Sequence, residues 1–183
     1  MHLSENLLKL QYLYSLEMLG EEFCDNFPTS QDREQKGVLG HSPQKAKIGF
    51  ISQTPLLNEN THFLPQKSAQ MLEDIITKVF NLSLQEACIL SLFKTQAISY
   101  DENLKQHIQI LLSQISQSSA KIFVIFGNTE IAQYLFNKNT NIGSAINFKN
   151  KTMIVTHSFK ALIKLAALKK QTLQHLKTAK TLL

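Results

Sequence analysis

Residues 152–162 read Thr152-Met153-Ile154-Val155-Thr156-His157-Ser158-Phe159-Lys160-Ala161-Leu162. An apolar, β-branched run stops at a histidine, and a long Leu- and Lys-rich segment follows. The first half predicts a buried strand over Thr152–Thr156, and the second a helix over 159–180. Three other stretches repeat the strand pattern: Lys47–Ser52, Ala87–Phe93 and Lys121–Phe126. Between them lie segments with apolar residues at helical spacing, over 66–80, 101–117 and from the turn at Gly127 through Leu135. Short, continuously apolar strands alternating with helices specify a parallel sheet covered on both faces. The expected fold class is therefore α/β, a three-layer α/β/α sandwich around a four-stranded parallel sheet. Residues 1–183 read as one domain, with an N-terminal helix within 1–24 and a flexible polar loop at 25–46. Residues 137–151 read as polar and irregular.

In a parallel sheet the C-terminal ends of the strands share one edge, and open α/β sheets bind their ligands there. The four ends are Ser52-Gln53-Thr54, Ser91 with Lys94 close behind, Gly127, and Thr156-His157-Ser158. Small polar groups, one lysine and one histidine thus converge.

The charge is uneven. Residues 1–34 hold seven acids against Lys9 and Arg33, whereas after Glu130 there is no acid and there are nine lysines. A basic C-terminal third suits a polyanionic partner, although a lysine-rich helix face is also an ordinary solvated one. Arg33 is the lone arginine, which argues against bidentate reading of bases. Cys24 and Cys88 are far apart and form no C-x-x-C pair, which suggests reduced thiols and a cytoplasmic location. No secretory signal and no membrane-spanning run is evident, and nothing suggests a metal or a cofactor.

With these elements in place, the chain resembles the uracil-DNA glycosylase superfamily, nearest its family 4, from about Ile48 to the C-terminus. The family's first strand ends in G-E-A-P-G, or G-Q-D-P-Y in family 1; Ser52-Gln53-Thr54-Pro55-Leu56 stands there. Phe63-Leu64-Pro65 matches the start of P-F-V-G-x-x-G-x-L-L, and Cys88–Thr95 matches the strand Y-I-T-N-V-V-K-C. Phe126-Gly127 matches the A-L-G turn, and His157-Ser158 matches H-P-S before a Leu-rich helix. The resemblance implies that Phe63 stacks on a flipped base and that His157 stabilises the leaving base. Gln53 would stand where the water-positioning carboxylate belongs, and Ser91 where an Asn reads the pyrimidine edge. Ser52, Thr54 and Gly127 would complete the base pocket, while Lys94, Ser158, Lys160 and Lys164 would face DNA. Two cysteines cannot hold the four-cysteine iron–sulfur cluster of family 4, so no cluster is expected.

Two main functions follow, beside a third in which the same pocket binds a small-molecule nucleotide or base. One is a uracil-DNA-glycosylase-like protein that excises a deaminated or damaged base from single- or double-stranded DNA. Its handicap is physical: Gln53 carries no charge and Ser91 is too short for two bonds to a base edge. A positioned acid or base is worth ~10²–10⁴ in rate. Glu59 would have to serve as the carboxylate. The alternative is a catalytically inactive, monomeric binding module that holds a replication or repair partner. The ψ subunit of bacterial DNA polymerase III, which resembles this fold without being a glycosylase, is the precedent. A pocket filled by side chains would decide for the second.

Overall fold

The computed structural model describes residues 37–95, 104–127, 129–136 and 140–183. The helix expected within 1–24 and the first part of the loop expected at 25–46 lie outside the described residues.

Four strands form where apolar runs predict them: β1 (Ile48–Ser52), β2 (Ala87–Ser91), β3 (Ile122–Phe126) and, last in the chain, Lys151–Thr156. A fifth, Ala145–Phe148, precedes the last and is absent from the sequence-based expectation. It is numbered β4, and Lys151–Thr156 is β5. The sheet order is β2-β1-β3-β5-β4. All pairings are parallel except β4–β5, which is an antiparallel hairpin. Its two-residue turn puts Lys149 and Asn150 at φ 45° and 63°. Two successive left-handed residues twist the chain in the sense a two-residue hairpin needs. Ile146 and Phe148 face inward, and the Phe148 ring lies 4.7 Å from that of Phe136. The four-stranded parallel sheet is thus corrected to five strands with one antiparallel edge.

Every residue of β1, β2 and β3 is buried. Alternate side chains point to opposite faces of a strand, so both faces need cover. Ile48, Phe50, Ile89, Val124, Phe126 and Ile154 face one layer of helices. That layer contains α1 (Lys67–Asp74), continued by one π-helical stretch over Ile75–Phe80, and two helices near the C-terminus. Ile51, Leu90, Phe123, Ile125 and Val155 face the other layer, made of α2 (Leu104–Gln117) and α3 (Thr129–Phe136). The result is the three-layer α/β/α sandwich.

The single helix expected over 159–180 is two helices: α4 (Phe159–Lys164) and α5 (Ala167–Thr181). At Leu165 the backbone leaves helical geometry, with φ −122° and ψ 93°. The cause is burial. Phe159 and Leu162 are buried on α4, and Thr172, Leu176 and Ala179 on α5. On one straight helix these two sets would point about 100° apart. The break turns both toward the sheet, where Phe159 stacks on Phe126 at 4.1 Å between ring centres.

The free edge of β2 is covered too. His41 exchanges both backbone hydrogen bonds with Ile89, at 2.8 and 2.7 Å, and the Val38 amide donates to the Lys94 carbonyl at 2.6 Å. Residues 37–46, expected to belong to a flexible loop, therefore include a strap held along the sheet edge. Covered edges of this kind protect a sheet from pairing with another chain.

Gly49 shows how closely the faces are filled: a Cβ there would lie 2.1 Å from the Phe123 ring. Gly49→Ala should cost about 1–3 kcal/mol by overpacking. In urea titrations the midpoint should fall with an unchanged slope, and adding Phe123→Leu should restore part of the loss.

Candidate functional site

β1 lies between β2 and β3, so the chain leaves it to one side and returns on the other. This is the topological switch point, and the crevice beyond the ends of β1 and β3 is the expected ligand site. Ser52 and Ser91 are register partners at the ends of β1 and β2, and Phe126 and Thr156 at the ends of β3 and β5. Gly127 is buried and its amide donates to the Thr156 carbonyl at 3.1 Å. The backbone thus brings the four predicted strand ends to one edge. What the side chains do there differs from the expectation.

On the β1–β2 side the edge is closed by internal bonds. The chains stay paired beyond the strands: the amides of Leu92 and Phe93 donate to the carbonyls of Ser52 and Gln53, both at 2.9 Å. The Ser52 hydroxyl donates to the Thr54 carbonyl at 2.7 Å and so tightens its own turn. Ser91 is buried, and its hydroxyl has no hydrogen-bond partner within the protein. It lines a recess of about 10 Å³ with Val38, Gly40, Pro55, Leu56, Leu57, Ile89 and Leu90. That volume suits one water, the usual solution for a buried polar atom of this kind. It is far below the ~300–1,000 Å³ of a ligand pocket. Gln53, Phe63 and His157 do not line it.

Lys94, expected to face DNA, is 4% exposed. Its ammonium donates to the Ser91 carbonyl and to Gln114 Oε1, both at 2.7 Å. The Gln114 amide in turn donates to the Leu39 carbonyl at 2.7 Å. A lysine from the β2 end, a glutamine from α2 and the 37–41 strap therefore lock together over this end of the sheet. Burial pushes the Lys94 amine down from its ordinary value of 10.5 to about 8. No carboxylate joins this network among the described residues, so the cation is held by neutral acceptors. Lys94, expected to face DNA, is thus placed inside the protein and bonded to Ser91 and Gln114.

The other residues are placed as follows. Gln53 and Thr54 are half-buried. Phe63 is half-buried and packs on the core, pairing with Leu57 in an isolated bridge. This is the anchor of a loop. Glu59, the substitute carboxylate, is exposed at a turn clipped by Asn58, whose side chain accepts from the amides of Asn60 and His62, both at 3.0 Å. Ser158 caps α4, accepting from the Ala161 amide at 3.2 Å. Lys160 and Lys164 are exposed on α4.

His157 stands at the end of β5, and its Nε2 lies 3.2 Å from Gln171 Oε1 on α5. Beside it is a residue that sequence reasoning missed. His175 of α5 has its Nδ1 3.0 Å from the Thr156 hydroxyl, which donates to Thr172 Oγ1 at 3.3 Å. The two imidazole centres are 6.1 Å apart. The far side of His175 rests on Gly143, where a Cβ would come within 2.4 Å of Nε2. Gly143 also has φ 87°, a conformation glycine adopts freely. The spacing Thr172, His175, Leu176, Ala179 was the available signal, since it puts His175 beside the buried stripe of α5. Burial first, and then the neighbouring His157, lower the His175 basicity. Chemically, this cluster can orient the last helix and the 140–144 turn. Among the described residues, no group of three or more His, Cys, Asp or Glu could hold a metal ion. No described helix is long and apolar enough to cross a membrane.

Compared with known proteins, the chain matches no family model and no curated protein.

Two pH effects follow. Lys94 has a lower pKa folded than unfolded, so the unfolded chain binds the extra proton between about pH 8 and 10.5. Its destabilising contribution is fully present below pH 8 and fades as pH rises. The stability difference between the parent and Lys94→Met should therefore shift by about 2 kcal/mol in favour of the parent from pH 7.5 to pH 10, read from urea midpoints. His175 is also lowered when folded, from 6.5. Its neutral form is favoured in the native state, so this contribution is present above pH 6.5 and lost as pH falls below it. Thermal unfolding at pH 7.5 and pH 5 should show a smaller acid loss in His175→Gln than in the parent.

Proposed function

We propose that this chain is a glycosylase-like protein without base-excision activity, which serves as a binding module for a partner in DNA replication or repair. The observation that carries this reading is the closed β1–β2 end of the sheet edge. The serine that would read a base edge is buried against a water-sized recess, with Lys94 folded over its carbonyl. The strand order and the polar strand ends support the resemblance to the uracil-DNA glycosylase superfamily. The side chains argue against its chemistry. Gln53 offers no charge, Phe63 is engaged with the core, and Glu59 points to solvent from a clipped turn.

His157 remains half-exposed and paired with Gln171, so it is the residue through which weak excision would act. A fold kept while its catalytic carboxylate is lost suits a non-catalytic subunit, in the manner of the ψ subunit of bacterial DNA polymerase III.

The test is excision from a single-stranded and a double-stranded uracil-containing oligonucleotide at low salt, with His157→Ala alongside. The expected result is no strand scission, after alkaline treatment, above the His157→Ala background. Release of uracil by the parent, lost in the variant, would overturn the proposal and restore the enzyme reading.

A further inference from the structure

The two helices that follow β5 are basic without any acid of their own. From Phe159 to Thr181, α4 and α5 carry six lysines and no acid. The neighbouring α1 and π-helical stretch balance themselves, with Lys67 and Lys78 against Glu73 and Asp74, and Lys78 pairs with Asp74 at 2.8 Å. On α5, Lys169, Lys170, Leu173, Lys177 and Lys180 fall within about 100° of one another around the helix axis. Gln171, Gln174, His175 and Thr178 occupy the opposite flank, toward His157. The lysine flank is therefore the one that turns away from the strand-end cluster, and Lys180 fixes its direction by donating to the Val79 carbonyl at 2.6 Å.

This flank is not uniformly polar. Leu173 is 40% exposed in the middle of it, and the joint before it leaves Ile163 at 41% and Leu165 at 58%. Lys169, Lys170 and Lys177 are all exposed around Leu173. Lysine ammonium groups on long stems can reach over such leucines to opposite charges. No exposed aromatic ring lies on this face, so a single strand of nucleic acid would find nothing to stack on. The aliphatic side chains would gain nothing from a phosphate backbone.

From this combination we infer that the α4–α5 face docks an acidic protein segment carrying leucine-type side chains at helical spacing. The acids would meet Lys169, Lys170 and Lys177, and the apolar side chains would cover Ile163, Leu165 and Leu173. The inference rests on the binding-module reading, for which it names the partner chemistry and the surface.

The test uses the full chain and fluorescence anisotropy at two salt concentrations. The probe is a labelled 18-residue peptide with Leu at every third or fourth position and Glu or Asp between. Two comparisons accompany it: the same peptide with each Leu changed to Gln, and a 20-nucleotide oligo-dT. The leucine peptide should bind at least tenfold more tightly than the glutamine peptide, and more weakly at high salt. Lys169→Glu with Lys177→Glu should weaken it about tenfold, and so should Leu165→Ser with Leu173→Ser. Circular dichroism confirms that each variant is folded. All substituted positions are exposed, and the double variants share no residue, so failure of one to fold leaves the other as the test. Equal binding of both peptides would overturn the apolar half of the proposal. Preference for oligo-dT, lost in the Lys variant, would assign the face to nucleic acid instead. Self-association in sedimentation that the same substitutions abolish would assign it to a second copy. No binding of the leucine peptide would overturn it outright. Uracil excision, in contrast, would sink the binding-module reading itself, so the two failures are separable.

Discussion

Three neighbouring strands of this protein bury every residue on both faces, and that single constraint arranges the rest. A strand buried on both sides cannot alternate polar and apolar residues, so β1, β2 and β3 read as unbroken apolar runs. Their two faces then demand two layers of helices. Polar side chains are driven to the strand ends, where they either serve a site or satisfy one another. The tight contact of Gly49 with Phe123 and the stack of Phe126 on Phe159 show how little slack the packing leaves. In such an interior a side chain at a strand end cannot be swung into a pocket without opening the layer beside it.

At the β1–β2 end the polar groups satisfy one another. Lys94 illustrates the balance. Taking its ammonium out of water costs roughly 3 kcal/mol, judged from a fall of its pKa from 10.5 to about 8. This is the net cost, with the two short hydrogen bonds to neutral acceptors already included. In return the lysine ties β2, α2 and the strap over residues 37–41 into one unit. A cation buried this way is unsuited to contacting phosphate. The same position that would make it useful to a DNA-binding edge has been turned inward to close that edge.

The parallel strands were legible because burial on both faces writes itself directly into the sequence. β4 was not, since Ala145-Ile146-Asn147-Phe148 alternates over only four residues inside a polar stretch, and its turn is made by Lys149 and Asn150 rather than by a glycine. The break between α4 and α5 was readable in principle. Phe159 and Leu162 cannot share a face with Leu176 and Ala179 on one straight helix, yet neither proline nor glycine marks the joint. At the candidate site, position was legible and role was not. The four strand ends do meet at one edge. Whether Lys94 faces solvent or Ser91 faces a pocket depends on Gln114 and Leu39, far away in the chain, and no local pattern reports that. His175 shows the reverse case: its helical spacing placed it beside the buried stripe, but attention to the lysines on the other flank concealed it.

The closed edge and the one-sided charge bear on each other. A protein that worked at its strand ends would be expected to aim its electrostatic attraction there, because a field focused on a crevice raises the local concentration of a charged ligand. Here the flank of α5 nearest His157 carries glutamines, a threonine and a histidine, and the lysines lie on the other flank. Lys169, Lys170 and Lys177 thus surround the exposed Leu173, while the α5 residue bonded to His157 is the uncharged Gln171. The bonded β1–β2 end and the lysine flank of α5 are independent features of the chain, one set by buried hydrogen bonds and the other by surface composition. Both bear on the binding-module reading proposed above: one takes Lys94 away from the surface, and the other sets exposed lysines beside the exposed Leu173 of the last helix.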